Sequence, residues 1–198
     1  KKQVYLAGGG SVTYEKLLVA TGSVPFVPPI KGRETAKNTF TFTTMDDAAG
    51  VGEILDKNSK VVILGAGLIG LKAAEAVVGQ CAGVTVVDLA DRVLPSVLDT
   101  ESAEIIEAHL TSQGMVLKLE TSITEIGDME VTLSDGELLP YDILILAVGT
   151  RPEMSLVEQA GGKVERGIVT DDHQQTSLKD IYAAGDCTQS YDITSQTA

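Results

Sequence analysis

The sequence predicts an α/β protein whose central part alternates strands with helices and then changes to a β-meander. An apolar run at residues 61–64 is typical of a buried parallel strand. Glycines follow it at once in G-x-G-x-x-G spacing, and a second apolar run ends at Asp88. Short alternating stretches from residue 122 onward are typical of antiparallel strands. Together these observations predict a sheet covered by helices on one face and by antiparallel strands on the other.

The glycine spacing predicts a tight turn with room for a dinucleotide. Gly65 lets the chain reverse, Gly67 removes the Cβ that would hold a pyrophosphate away from the backbone, and Gly70 lets the next helix pack close to the strand. The N–H groups at the start of that helix point toward the phosphates. The cofactor-binding residues predicted in this turn are Gly65, Ala66, Gly67, Leu68, Ile69 and Gly70.

Asp88 predicts which dinucleotide binds. It stands about 20 residues beyond the glycines, where a carboxylate accepts hydrogen bonds from ribose hydroxyls. A 2′-phosphate would meet a like charge there, so the prediction is NAD(H) rather than NADP(H). The alternative is an ordinary strand-to-helix turn that binds nothing, because the glycine spacing alone is common. The surrounding strands, helix and acid favour the nucleotide site.

The remaining elements follow from periodicity and turn residues. Strands at residues 3–7 and 13–20 predict a hairpin, and the proline-rich residues 24–32 predict a linker with a domain boundary near residue 40. Asp99 and Gly114 are the expected N-cap and terminator of one helix. The other predicted elements are helices at 46–55 and 99–113 and strands at 84–87, 115–119, 122–126, 129–133 and 138–148, with a hairpin turn at Asp135-Gly136.

Composition excludes several classes of function. The chain has 198 residues and a formal net charge of −13, which argues against nucleic-acid or anionic-membrane partners. No apolar run approaches the ~20 residues that span a bilayer, so a cytoplasmic protein is expected. Cys81 and Cys187 lack metal-ligand spacing and are interpreted as structural. Neither His109 nor His173 has catalytic partners in the sequence, so no catalytic residue and no metal are predicted.

Three motifs in one order carry a resemblance to a known family. They are TYEKLLVATGSVP at 13–25, the glycine fingerprint at 61–88, and YDILILAVGTRPE at 141–153 followed by IYAAGDC at 181–187. In this order they resemble the FAD- and NAD-dependent pyridine nucleotide-disulfide oxidoreductases. The C-terminal residues 181–196 are most similar to the branch of NADH oxidases, NADH peroxidases and coenzyme A-disulfide reductases.

The resemblance implies a Rossmann-like, three-layer FAD/NAD(P)-binding fold. An NAD domain at 41–150 is expected to be inserted between two pieces of an FAD domain, at 1–40 and 151–198. The family's N-terminal segment carries a first G-x-G-x-x-G and, in many members, the redox-active cysteine. Neither is found in this sequence. We therefore expect a central fragment of a longer flavoprotein, inactive alone and homodimeric when full length.

The resemblance also assigns roles to further residues. Gly149 is expected near the nicotinamide, where a side chain would obstruct stacking on the flavin. Thr21 and Gly22 match the motif beside FAD, and Asp186 matches the acid that binds the ribityl chain. From its context alone, Asp186 is equally compatible with a solvated turn aspartate. Lys72 departs from the family, which often has Glu at this position.

The function implied is transfer of hydride from NADH to FAD and on to a disulfide, dioxygen, peroxide or redox-protein acceptor. The implied cofactors are NAD(H) and FAD, and the chemistry belongs to them rather than to the protein. Two alternatives stay open from the sequence. One is a non-catalytic NAD-binding sensor or regulatory module, and the other is an interaction domain with a vestigial fingerprint.

Overall fold

The computed structural model describes residues 2–189. Its α-helices are α1 (Met45–Ile54), α2 (Leu68–Val77), α3 (Thr100–Ser112) and α4 (Ser155–Gln159), with a 3₁₀ turn at Arg33–Thr35. Its strands up to residue 87 are β1 (Gln3–Tyr5), β2 (Ser11–Thr13), β3 (Leu17–Val19), β4 (Ser23–Pro25), β5 (Thr39–Phe40), β6 (Lys60–Leu64) and β7 (Gly83–Val87). The later strands are β8 (Met115–Lys118), β9 (Ile123–Ile126), β10 (Glu130–Leu133), β11 (Leu138–Pro140), β12 (Ile143–Leu146), β13 (Thr150–Pro152), β14 (Ile168–Val169), β15 (Ile181–Ala183) and β16 (Thr188–Gln189).

The chain divides into two compact units. Among the described residues, one unit comprises residues 25–149, and the other joins residues 2–24 to residues 150–189. The units divide the chain at 24/25 and 149/150, whereas the sequence placed the first boundary near residue 40. The second boundary differs from the prediction by one residue. The assignment of the pieces to an NAD domain and an FAD domain stays a prediction.

The 25–149 unit is built on a five-stranded parallel sheet in the order β5-β12-β6-β7-β8. Successive side chains of a strand point to opposite faces, and both faces of this sheet are buried. Val61 and Ile63 belong to a core shared with residues of α1, α2 and α3. Val62 and Leu64 belong to a second core shared with the antiparallel strands β9, β10 and β11. The predicted three-layer α/β fold with a meander is therefore confirmed.

The predicted strand at 138–148 is wrong as a single element. β11 closes the meander, whereas β12 lies in the central sheet between β5 and β6. The chain changes sheet at Tyr141, which is 1 % exposed and whose N–H donates to Met129 O at 2.9 Å. The next residue, Asp142, accepts a hydrogen bond from Lys60 N at 2.7 Å. The sequence pattern does not reveal this change, because apolar residues both precede and follow Tyr141 and Asp142.

The proline-rich residues 24–32 are more than a linker. Val27 and Ile30 pack against the core beneath the meander. Lys31 O accepts a hydrogen bond from Ile126 N at 2.8 Å, and Gly32 has φ +81°. A Cβ at Gly32 would lie 1.9 Å from Ile126 O, so only glycine allows this approach. These contacts place residues 25–32 in the 25–149 unit and explain why the boundary lies at the start of the segment.

The predicted helices are confirmed within one or two residues. Asp99 caps α3, because its carboxylate accepts a hydrogen bond from Ser102 N at 2.9 Å. The hydrogen bonds from Ser102 lower the pKa of Asp99. Thr44 and Asp47 form a capping box at the start of α1. Among residues 2–189, no helix has the length and apolar character needed to cross a bilayer.

The other unit is made of short paired strands. β1 and β2 form a hairpin around Gly9 and Gly10, so the predicted strand at 13–20 is wrong as one element. Its second half is β3, which pairs in parallel with β15. Val19 and Cys187 lie in a small core with residues of α4, β14 and β15. The sequence did not predict α4, whose five residues are too few for a clear helical period.

Candidate functional site

The glycine turn after β6 has the shape that the spacing predicts. Gly65 has φ +116°, and a Cβ there would lie 2.3 Å from Ala147 O. A Cβ at Gly70 would lie 1.9 Å from Gly65 O, so α2 approaches the strand as closely as predicted. Gly67 differs, because it has φ −81° and its Cβ would meet no protein atom within 4 Å. Protein packing therefore does not require glycine at position 67, and the space beside it is open.

Two backbone N–H groups of this turn are bonded within the protein, and those at the start of α2 are available to a ligand. Gly65 N donates to Val87 O at 2.8 Å, and Ala66 N donates to the Asp88 carboxylate at 2.6 Å. Gly67 is the N-cap of α2 and supplies no side-chain cap. The first N–H groups of a helix lack intrahelical partners. The amides available to an anionic ligand are therefore those at the start of α2, where the helix dipole also favours negative charge.

Asp88 lies directly beside this turn, at the carboxyl end of β7. Its Oδ2 accepts from Ala66 N at 2.6 Å, and its Oδ1 accepts from Ala90 N at 2.8 Å. The side chain is half-buried. Each carboxylate oxygen has two lone pairs, so Asp88 retains the capacity to accept hydrogen bonds from a ribose. Asp88 thus holds the turn through its bond with Ala66 N, and it can also accept hydrogen bonds from a ligand.

A cleft of about 710 Å³ runs along this edge of the sheet, within the size range of cofactor sites. The carboxyl ends of β12, β6 and β7 meet here because the strands are parallel. Asp88 follows β7 and Gly149 follows β12, so they flank the glycine turn on opposite sides. Gly149 has φ +103°, and a Cβ there would point into open space. The lining residues are Phe26, Pro28, Ile30, Leu64, Gly65, Gly67, Leu68, Ile69, Asp88, Leu89, Pro95, Ser96, Ser122, Ile123, Ala147, Val148 and Gly149.

The other three predicted site residues lie in the other unit. β3 and β15 are parallel neighbours, so Thr21 and Gly22 follow one strand end and Asp186 follows the adjacent one. Thr21 Oγ1 donates to Glu153 O at 2.5 Å, and Gly22 O accepts from Glu153 N at 2.9 Å. Asp186 is exposed and follows Gly185, which has φ +85°. The structure brings these residues to one edge, while their cofactor roles stay predictions.

Lys72 points to solvent on α2 and is not among the cleft residues. Its Nζ lies 2.7 Å from Glu75 Oε2, and both side chains are exposed. The hydrogen bond from Lys72 lowers the pKa of Glu75. The departure from the family pattern therefore places no positive charge in the cleft.

The cysteines and histidines form no reactive cluster. Cys187 is fully buried, with its Sγ 3.3 Å from Ala184 O, and burial raises the pKa of the Cys81 thiol. His109 and His173 are exposed. Within the part of the chain that the structure describes, no group of His, Cys, Asp and Glu side chains has metal-binding geometry.

Sequence reasoning missed one wall of the cleft. Leu89, Pro95 and Ser96 come from the irregular segment between β7 and α3, and Ser122 follows β8. The signal available was the parallel-sheet rule that ligands bind beyond the carboxyl ends of the strands. Applied to β7 and β8, it would have pointed to the residues that follow each strand.

The whole chain, residues 1–198, matches the family model described as pyridine nucleotide-disulphide oxidoreductase. The chain belongs to this family. It is 35 % identical over 188 residues to an NADH oxidase of Methanocaldococcus jannaschii, which covers 92 % of this chain and 42 % of that protein. The structure of a covalent putidaredoxin reductase–putidaredoxin complex superimposes with a TM-score of 0.92 at 29 % identity, over 98 % of this chain and 49 % of the other. The chain thus spans about half the length of these relatives, or less.

A further solved relative bears on cofactor choice. It is a water-forming NADPH oxidase engineered from the Lactobacillus brevis NADH oxidase, with a TM-score of 0.83 at 26 % identity, over 90 % of this chain and 40 % of that one. Its substitutions replace a glycine, an aspartate, an alanine, a methionine and a proline. That aspartate lies 18 positions after the glycine and seven before the proline. The same intervals separate Gly70, Asp88 and Pro95.

Proposed function

We propose that residues 25–149 bind NAD(H) in the cleft and that the other unit supplies part of an FAD site. The complete protein would then be a flavin-dependent oxidoreductase that takes hydride from NADH. The observation that carries the proposal is the pairing of Asp88 with the open glycine turn along one cleft. Family membership supports the same two cofactors.

The residues of the cleft have distinct parts in this proposal. The amides at the start of α2 would hold the pyrophosphate, and Gly67 would leave room for it. Asp88 would accept hydrogen bonds from the adenosine ribose, and Gly149 would leave room for the nicotinamide on the other side of the turn. Because this lining is largely apolar, the cleft would also exclude water around the nicotinamide.

FAD is assigned to residues of the other unit. Thr21 and Gly22 would lie beside the flavin, and the exposed Asp186 carboxylate fits the hydroxyls of a ribityl chain. FAD, when bound, supplies the two-electron acceptor for hydride and the means to pass electrons onward. In this proposal the protein binds the two cofactors, and no side chain is assigned a catalytic role.

The acceptor belongs to the same proposal. The relatives include an NADH oxidase, a water-forming oxidase and a reductase captured with putidaredoxin. These names support dioxygen or a small redox protein as the acceptor class. We also propose that the complete protein is cytoplasmic and forms a homodimer. Size-exclusion chromatography with light scattering tests the dimer. No observation favours the sensor alternative over this function.

The test is a replacement of Asp88. In the Asp88→Ser variant we expect the preference for NADH over NADPH to fall by about 1–3 kcal/mol, because a charged hydrogen bond is lost and the repulsion of a 2′-phosphate is relieved. Fluorescence titration of the 198-residue chain with each nucleotide measures the two affinities. The chain contains no tryptophan that would interfere with nucleotide fluorescence.

Asp91→Ser is the matched control. Asp91 lies in the same segment, is well exposed and pairs with Arg92 instead of the glycine turn. Removing it deletes the same charge without touching the proposed ribose contact. An equal change of the NADH-to-NADPH ratio in both variants would contradict the assignment of Asp88.

A further inference from the structure

The segment from Asp88 to Leu98 forms one wall of the cleft without any helix or strand of its own. Its position relative to the glycine turn depends on the peptide groups of Ala66. Ala66 N donates to the Asp88 carboxylate at 2.6 Å, and Ala66 O accepts from Leu94 N at 2.9 Å. The glycine turn is therefore bonded to the beginning of the segment, at Asp88, and to its middle, at Leu94.

A side chain outside the cleft ties the same segment to helix α3. Val93 is fully buried in the core between the sheet and the helices, so its N–H group is shielded from water. That N–H donates to Glu107 Oε1 at 3.0 Å. Glu107 is half-buried, lies on α3 and does not line the cleft. A buried N–H needs an acceptor, so this carboxylate determines where the chain can pass at Val93.

The neighbouring contacts show what Glu107 adds. Glu120 N donates to Ala90 O at 2.9 Å and Thr121 N donates to Asp88 O at 3.1 Å, which fixes the start of the segment to the end of β8. Val97 and Leu98 close the far end on Leu94 through their N–H groups. Glu107 holds the residue directly before Leu94, whose N–H binds the glycine turn.

We propose that Glu107 is a positioning residue for nucleotide choice. Through Val93 it fixes Leu94 against Ala66, and Ala66 in turn fixes the Asp88 carboxylate. Loss of the Glu107 contact would let the segment drift from the turn, so that Asp88 would no longer meet the ribose in a single orientation. The inference rests on the proposed NAD(H) site and assigns to α3 a role in its selectivity.

Variants at Glu107 separate this role from general stability. Glu107→Met keeps the length of the side chain and removes the acceptor, whereas Glu107→Gln keeps an acceptor oxygen and removes the charge. Glu104→Met is the control, because Glu104 is exposed on the same helix and its loss removes the same charge. All variants are first compared by circular dichroism and then titrated with NADH and NADPH well below their melting temperatures.

We expect the ratio of NADH affinity to NADPH affinity to fall about tenfold in Glu107→Met, equivalent to about 1.4 kcal/mol. The ratio should stay at the wild-type value in Glu107→Gln and Glu104→Met. If Glu107→Met does not fold, Glu107→Asp replaces it, because that carboxylate is one methylene too short to reach Val93 N. The same fall is then expected.

The outcomes distinguish the two proposals. An unchanged ratio in a folded Glu107→Met or Glu107→Asp variant that still binds NADH would overturn the positioning role alone. A fall of the ratio in Glu107→Gln equal to that in Glu107→Met would overturn it as well, because charge rather than the hydrogen bond would then be responsible. Failure of the unaltered chain to bind NADH would overturn the proposed function, and the inference with it.

Discussion

The two units use the same arrangement of parallel strand ends, glycines and one acid, but they build it differently. In the 25–149 unit the acid, Asp88, is half-buried and accepts hydrogen bonds from two backbone N–H groups. In the other unit the acid, Asp186, is exposed. Behind Asp88 stands a five-stranded sheet, whereas β3 and β15 form a pair of two strands among the described residues. The difference shows what orients an acid at a strand end. The Asp88 carboxylate is held by backbone N–H groups of the glycine turn and of the loop after β7.

The sharpest way to test this comparison is to offer both cofactors to the 198-residue chain. We expect stoichiometric NADH binding, because the turn, Asp88 and Gly149 lie in one unit along one cleft. We expect no FAD binding, because the residues assigned to FAD form an exposed and sparsely supported edge. Isothermal titration calorimetry with each cofactor measures both. FAD binding without NADH binding would contradict the conclusion that the 25–149 unit holds the better-formed site.

The next largest effect is expected at Gly65. In Gly65→Ala the alanine would have to adopt the positive φ of this position, and its Cβ would lie 2.3 Å from Ala147 O, so backbone atoms must shift. We expect the free energy of unfolding to fall by about 2–5 kcal/mol, the sum of a conformational and an overpacking cost. Urea denaturation followed by far-UV circular dichroism measures the change.

Gly67→Ala in the same turn provides the contrast. Its Cβ would meet no protein atom, so the unfolding free energy should stay within about 1 kcal/mol of wild type. NADH affinity should still fall about tenfold, since the methyl group would occupy the space proposed for the pyrophosphate. Equal stability losses in the two variants would show that packing, and not ligand access, explains both glycines.

The smallest effect is expected at Lys72. Its ammonium is exposed and paired with Glu75, so it should not discriminate between the reduced, uncharged nicotinamide and the oxidised, cationic one. In Lys72→Glu we expect the ratio of NADH to NAD⁺ affinity to remain unchanged. The free energy of unfolding should fall by about 0.2–0.5 kcal/mol, because the new carboxylate and Glu75 would form a like-charge pair on the helix. A ratio shifted tenfold would show that Lys72 reaches the nicotinamide in the bound state.

Much of the 25–149 unit could be predicted because its elements have a clear hydrophobic periodicity and are bounded by recognisable turn and cap residues. The turn after β6, the capped helix α3 and the meander all follow from residues close together in sequence. The division of 138–148 between two sheets could not be predicted, because it depends on burial of Tyr141 between two layers. Residues 24–32 were interpreted as a linker because prolines exclude regular structure, which does not exclude packing.

The candidate site was predictable to a similar depth. The glycine spacing predicted the turn at Gly65 and the close approach of the helix at Gly70, and Asp88 was predicted from its distance from them. Its bond to Ala66 and the contact of Glu107 with Val93 were not visible in the sequence. Both depend on the path of an irregular segment, and no local period encodes which distant side chain meets a given backbone N–H.

The place of β12 has a consequence for how the protein folds. β12 lies between β5 and β6, although in the chain it follows β6 by about 80 residues and β5 by about 100. This interior strand is thus the last of the five to be synthesised, and its pairing closes a long loop. Ala147, directly after β12, is the residue that packs against Gly65. The cleft is therefore completed only when this late strand inserts, so a partly assembled sheet would lack one side of the candidate site.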